Sequence, residues 1–171
     1  LGSEGSNAEW VDGIFSGLAR KLGLPMLGDM GQGLFCGIDG DGRSARELAA
    51  LVDARLGLGG TRVVGDPETP VNKAYVAMHV LGWADNDIIS LMDKEDVDAI
   101  LTMECTDYTV SEYVRDSCEL GYPRAILQVG HFNLEEPGME FAMRWLPEAI
   151  GDTALPVSFA SAGDPFSYVV S

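Results

Sequence analysis

Apolar and polar positions follow two periods along this chain, and its second half switches between them regularly. Near the start, Trp10, Ile14, Leu18 and Leu22 recur every fourth residue, which predicts a helix over 8–24 with one apolar stripe. "GLPMLGDMGQGLFCGIDGDGR", residues 23–43, is rich in glycine and predicts loop with one short strand over 34–38. Its "DGDG" has the opening of a calcium loop but lacks the later ligands and the closing glutamate, so Asp39–Asp41 reads as a turn. "SARELAALVDARLGL" predicts the clearest helix. Ser44 and Glu47 form a capping box, Leu48, Leu51 and Leu56 mark the buried side, and Gly57 and Gly59 stop it. "TRVVGD" predicts a short strand, with Pro67 and Pro70 in the turn behind it.

From residue 72 strands and helices alternate. "KAYVAMHV" reads as a strand, "DNDIISLMDKEDV" as a helix capped by Asp85, and "DAILTME" as a strand. "TVSEYVRDSCELG" reads as a helix with Thr109 as cap and Glu112 three residues on, and "RAILQVG" as a strand. "EEPGMEFAMRWLPEAIG" reads as a helix with Pro137 in its first turn, and "LPVSFAS" as a last strand. Such alternation predicts an α/β (α+β) fold with a mixed, largely parallel sheet and flanking helices. One domain over 1–171 is expected, with a helix and glycine-rich lead-in at 1–43 and an α/β core at 44–171.

Composition narrows the function. The chain is 46% hydrophobic and 22% charged, enough for a packed core. Its formal charge is −16, from 27 acids against 11 bases. Arg55, Arg62, Arg115, Arg124 and Arg144 are scattered, so no basic patch offsets the repulsion of a phosphate backbone, and nucleic acid is excluded as a partner. No apolar run approaches the ~18 residues of a membrane span. Cys36, Cys105 and Cys118 fit no CxxC framework, which leaves free thiols suited to the cytoplasm rather than a zinc ribbon. "LGSEGSNAEW" is a polar lead-in without an initiating methionine, so the true start is expected upstream.

Ligands of an open α/β sheet gather at the carboxyl ends of its strands. Two predicted strand ends carry suitable residues: "ILTMECTD" brings Glu104 and Asp107, and "ILQVGHFNLEE" brings His131 and Glu135. Imidazole with carboxylate suits zinc, iron or manganese. Gly130 and Pro137 place His131 on a strand end and Glu135 at a helix start, with a short loop left to aim both at one ion. The plain alternative is that Glu135, Glu136 and Pro137 are what a helix N-terminus favours, with His131 bonded to a loop carbonyl. His79, among apolar neighbours, reads as a bonded strand histidine. Ser111 and Ser117 lack a nucleophile elbow, and no phosphate-binding glycine loop appears. Met139, Met143 and Trp145 read as packing residues, and Trp83 and Tyr108 as candidates to line a pocket.

"GHFNLEEPGMEFAMRWL" resembles the closing motif of the Nif-three-like dinuclear metal-centre family. "LAALVDARLGLGGTRVVGDPETPVNKAYVAM" and "VDAILTMECTDYTVSEYVRDSCELGY" resemble that family's preceding segments, in order. The likeness runs from Asp12 to Phe159 and matches mainly the family's C-terminal half. It implies two related α/β halves, ring-shaped hexamers and two metal ions in a cleft between the halves. It also implies His131 and Glu135 as metal ligands and Glu104 as a supporting acid behind them. The chemistry it implies is a divalent-metal-dependent hydrolase acting on a nucleotide, of the GTP cyclohydrolase type 2 kind. The alternative is a non-catalytic metal-binding or regulatory assembly module with an incomplete site. Three departures bear on this: the paired histidines of the family's first half are absent, "HVLGWADND" replaces a glycine-rich loop, and Met103 stands for a glycine in "TGE".

Overall fold

The structure is a computed structural model that describes residues 13–29, 33–38 and 42–169. It opens with helix α1 (Gly13–Leu22), strands β1 (Met26–Asp29), β2 (Gly33–Gly37) and β3 (Arg43–Ser44), and helix α2 (Ala45–Leu56). Strands β4 (Arg62–Gly65), β5 (Pro70–Val71) and β6 (Lys73–Val80) follow, then α3 (Ala84–Lys94), β7 (Ala99–Cys105) and α4 (Val110–Glu119). The chain continues through β8 (Ala125–Gln128), α5 (His131–Ala142) and α6 (Leu146–Ala149). The main sheet has the order β1-β2-β6-β7-β8-β4. Its centre, β6-β7-β8, is parallel, and β2 and β4 flank that centre antiparallel.

The period-two pattern of the central strands explains why both sheet faces are covered. Ala74, Val76, Ala99, Leu101, Met103, Ala125 and Leu127 point to one core, which they share with Leu18, Leu48 and Leu134 of α1, α2 and α5. Tyr75, Ala77, Ile100 and Ile126 point to the other, against Ile88, Met92, Val110 and Val114 of α3 and α4. A strand buried on both faces reads as a nearly unbroken apolar run, as "AILTM" does in β7. The two helix–strand crossovers keep β6, β7 and β8 parallel, so their carboxyl ends lie side by side.

Helix α2 forms as its sequence predicts. Ser44 and Glu47 make both bonds of the capping box, and Gly57 closes the helix at φ 70°, a left-handed position that glycine takes without strain. Elsewhere the structure corrects the expectations. Within the described residues the first helix spans Gly13–Leu22; Trp10 and the Asp39–Asp41 turn lie outside them. The glycine-rich stretch holds a hairpin, because β1 pairs with β2 despite its short and exposed sequence. Asp85 is not a cap. It lies inside α3, is 3% exposed, and accepts hydrogen bonds from the hydroxyls of Thr106, at 3.2 Å, and Thr109. Thr109 holds the N-cap position of α4 but spends its side chain on that bond, so it caps nothing. "LPVSFAS" forms no strand and runs without regular structure along the surface.

Candidate metal centre

The last correction falls on the site. Helix α5 starts at His131, four residues before the expected position. Gly130, at φ 98° and ψ 145°, makes the turn directly from strand to helix, so His131 and Glu135 share one helix face at i and i+4. Pro137 is therefore the seventh residue of the helix rather than a first-turn proline.

Three strand ends then deliver the donors. His79 stands opposite Glu104 in the β6–β7 register, and His131 follows β8. The Glu104 carboxylate lies between the two imidazoles: Oε2 is 2.7 Å from His79 Nδ1, and Oε1 is 2.7 Å from His131 Nδ1. One ligand atom from each of His79, Glu104 and His131 falls within 4.8 Å of the others. His131 Nε2 points the other way, 3.5 Å from Glu135 Oε1. The side chains of His79, Glu104 and His131 are 43%, 32% and 45% exposed, so the cluster is open to solvent and to a ligand. Below it, the buried Thr102 hydroxyl lies within bonding reach of the Met78 and Glu104 carbonyls and braces the backbone under both residues.

The donor set fits a divalent transition metal. Two imidazoles and a carboxylate are borderline-soft and hard ligands of the kind zinc, iron and manganese share, and a set of three leaves coordination positions open. Cys105, next to Glu104, does not join it. Its thiol is buried and pushed up by that burial, so it stays protonated against Ser111. Asp107 is also apart, in an exposed ion pair with Arg62 at 3.5 Å. A cavity of about 980 Å³ opens beside His79, with Met78, Leu81, Trp83, Ile88 and Lys94 in its wall. Trp83 lines it as expected; Tyr108 does not.

Sequence reading passed over His79. The signal that finds it is positional: His79 and Glu104 stand near the ends of consecutive strands, and a parallel pairing makes them neighbours.

The pattern of residues is that of a known family, whose model matches residues 11–165: Duf34/NIF3 (NGG1p interacting factor 3). The chain belongs to the Duf34/NIF3 family. This is the Nif-three-like family that its motifs resemble. Among solved structures, it is similar to the protein ybgI, of unknown function, with 25% identity and a TM-score of 0.68 over 90% of this chain. It is also similar to the Staphylococcus aureus hypothetical protein SA1388, with 11% identity and a TM-score of 0.66 over 91% of this chain. A Bacillus cereus protein related to NIF3 shares the fold at 22% identity, with a TM-score of 0.55 over 81% of this chain. The chain spans 57%, 64% and 36% of the lengths of these three proteins. No curated protein matches it.

Proposed function

We propose that this Duf34/NIF3 member holds a divalent ion of zinc, iron or manganese on His79, Glu104 and His131, with Glu135 as a further donor, and hydrolyses a nucleotide there. The observation that carries the reading is the convergence of three ligand atoms within 4.8 Å at the carboxyl ends of parallel strands. A bound divalent ion makes water acidic enough to attack at neutral pH and draws electrons from the bond under attack.

The chain's own residues supply the rest. Glu104 lies 2.7 Å from the Nδ1 atom of each imidazole, so both rings keep a fixed orientation around the carboxylate. Glu135 stands beside His131 Nε2, where it can coordinate or take up the proton that water gives up. Met78, Leu81 and Trp83 form an apolar wall next to His79, suited to the flat face of a nucleobase. The family likeness supports a homo-oligomer, with a ring-shaped hexamer and a cytoplasmic setting as the working assembly. No described helix is long and apolar enough to cross a membrane.

The test is hydrolysis of GTP and other nucleotides by protein loaded with each of the three metals, beside His79→Ala and His131→Ala. Turnover that needs both histidines supports the reading. Bound metal with no turnover on any nucleotide turns the choice to a non-catalytic metal-binding module.

A further inference from the structure

The turn that aims His131 and Glu135 has no side-chain cap of its own, since Gly130 occupies the N-cap position of α5. Its order has to come from neighbours, and they stand on two sides. On the sheet side, Val129 N donates to Thr102 O at 2.9 Å and Gly130 N to Met103 O at 3.1 Å. On the other side, the segment 161–168 crosses the start of the helix.

Asn133 is 6% exposed and donates its Nδ2 to Val129 O at 2.9 Å, which ties the first turn of α5 back to the strand. The same Nδ2 lies 3.4 Å from Asp164 Oδ1. That oxygen also accepts from Phe166 N at 3.0 Å, an Asx turn that fixes the carboxylate. A Cβ at Gly130 would lie 3.0 Å from Asn133 Nδ2 and 3.3 Å from Phe166 Cε2, so both side chains rest on the glycine's backbone. Farther along the helix, Glu136 accepts from Ser161 Oγ, at 3.1 and 3.0 Å to its two oxygens, and from Ala162 N.

We propose that the segment 161–168 is a positioning clamp: Asp164 on Asn133, with Ser161 and Ala162 on Glu136, fixes the turn at Gly130 and thereby the aim of His131 and Glu135. Asn133 and Asp164 are positioning residues; neither touches the donor cluster. The consequence for metal rests on the metal reading above, whereas the clamp itself stands on these contacts.

The experiment compares the full chain with Asp164→Ala, Asp164→Asn and Glu136→Ala, by amide hydrogen exchange without metal and by cobalt(II) titration followed in the visible spectrum. Asp164→Ala should speed exchange at the hydrogen-bonded amides of Val129, Gly130 and Leu134 about tenfold while those of β6 and β7 keep their rates. It should also weaken cobalt binding by about tenfold, the low end for losses behind a metal ligand, and shift the ligand-field bands. Asp164→Asn keeps an oxygen acceptor for Asn133 and Phe166 and should restore both readouts. Glu136→Ala should show the same pattern as Asp164→Ala and serves if that variant fails to fold. Unchanged exchange in both alanine variants overturns the clamp. Faster exchange with unchanged cobalt affinity and spectrum overturns its link to the metal. A wild type that takes up no cobalt overturns the metal reading, and the exchange comparison then still decides whether the clamp exists.

Discussion

Helix α5 is seated on α1 through two glycines, and Gly138→Ala tests that seat. A Cβ at Gly138 would stand 2.4 Å from Ile14 Cα and 3.0 Å from Gly13 O, both backbone atoms of the facing helix. Reciprocally, a Cβ at Gly17 would stand 2.5 Å from Gly138 Cα. Both carbon–carbon contacts are about an ångström or more short of the ~3.5–4.0 Å at which carbon atoms rest. Backbone cannot rotate away as a side chain would, so the helices must separate. Two opposed terms decide the sign. Alanine gains about 1 kcal/mol over glycine in a helix interior. Overpacking costs about 1–3 kcal/mol and more where the obstacle is rigid, and two backbones in mutual contact put this case at or above the upper end. The net expectation is a loss of about 2 kcal/mol or more, or a melting temperature lower by at least roughly 4–8 °C for a chain of this size. Circular dichroism melts with a parallel urea titration measure it. The double variant Gly17→Ala/Gly138→Ala should lose less than the sum of its parts, because the first methyl already opens the gap for the second. A Gly138→Ala protein as stable as wild type, or more so, would refute the reasoning, since helix propensity alone would then have decided the outcome.

Other expectations follow from single groups. Hydrogen bonds from the Tyr113 hydroxyl and Arg124, both at 2.6 Å, hold Asp93 below its ordinary 3.8. Its contribution is therefore present above that value and lost as pH falls through the depressed one, so the melting gap between wild type and Asp93→Asn should be widest near neutrality and close below about pH 3.8. Burial pushes the Cys36 thiol up to about 12, so iodoacetamide at pH 8 should leave it unlabelled until the protein unfolds, while the partly exposed Cys118 reacts first. Asp85→Ala should cost about 1–3 kcal/mol in urea unfolding, because it removes the buried carboxylate that the Thr106 and Thr109 hydroxyls share.

Much of the fold is legible in the residues, and the exceptions have physical causes. Ser44, Glu47 and Gly57 specify α2 by local bonds that need no tertiary partner, which is why sequence locates both its ends. The alternation of β6, β7 and β8 with α3 and α4 is written in apolar periodicity, since both sheet faces are covered. Strand β1 carries no such signature. Met26 and Leu27 are 41% and 60% exposed, and pairing with β2 defines the strand rather than burial. The start of α5 misleads because proline favours first turns, whereas here Gly130 turns the chain early and Pro137 falls where its missing N–H costs one bond inside a packed helix. Asp85 misleads for a related reason, since an acid before an apolar stripe looks like a cap until Thr106 and Thr109 arrive from a distant part of the chain. The same limit hides half of the candidate site. His131 and Glu135 are close in sequence and carry the family motif, but His79 meets Glu104 through strand register, a non-local fact.

The most direct measurement is metal content by elemental mass spectrometry on protein purified without a chelating tag, for wild type, His131→Ala and His79→Ala. The account expects a stoichiometric divalent ion in the wild type and its loss in both variants. No ion in the wild type, or equal amounts in all three proteins, would contradict a metal centre built on these histidines.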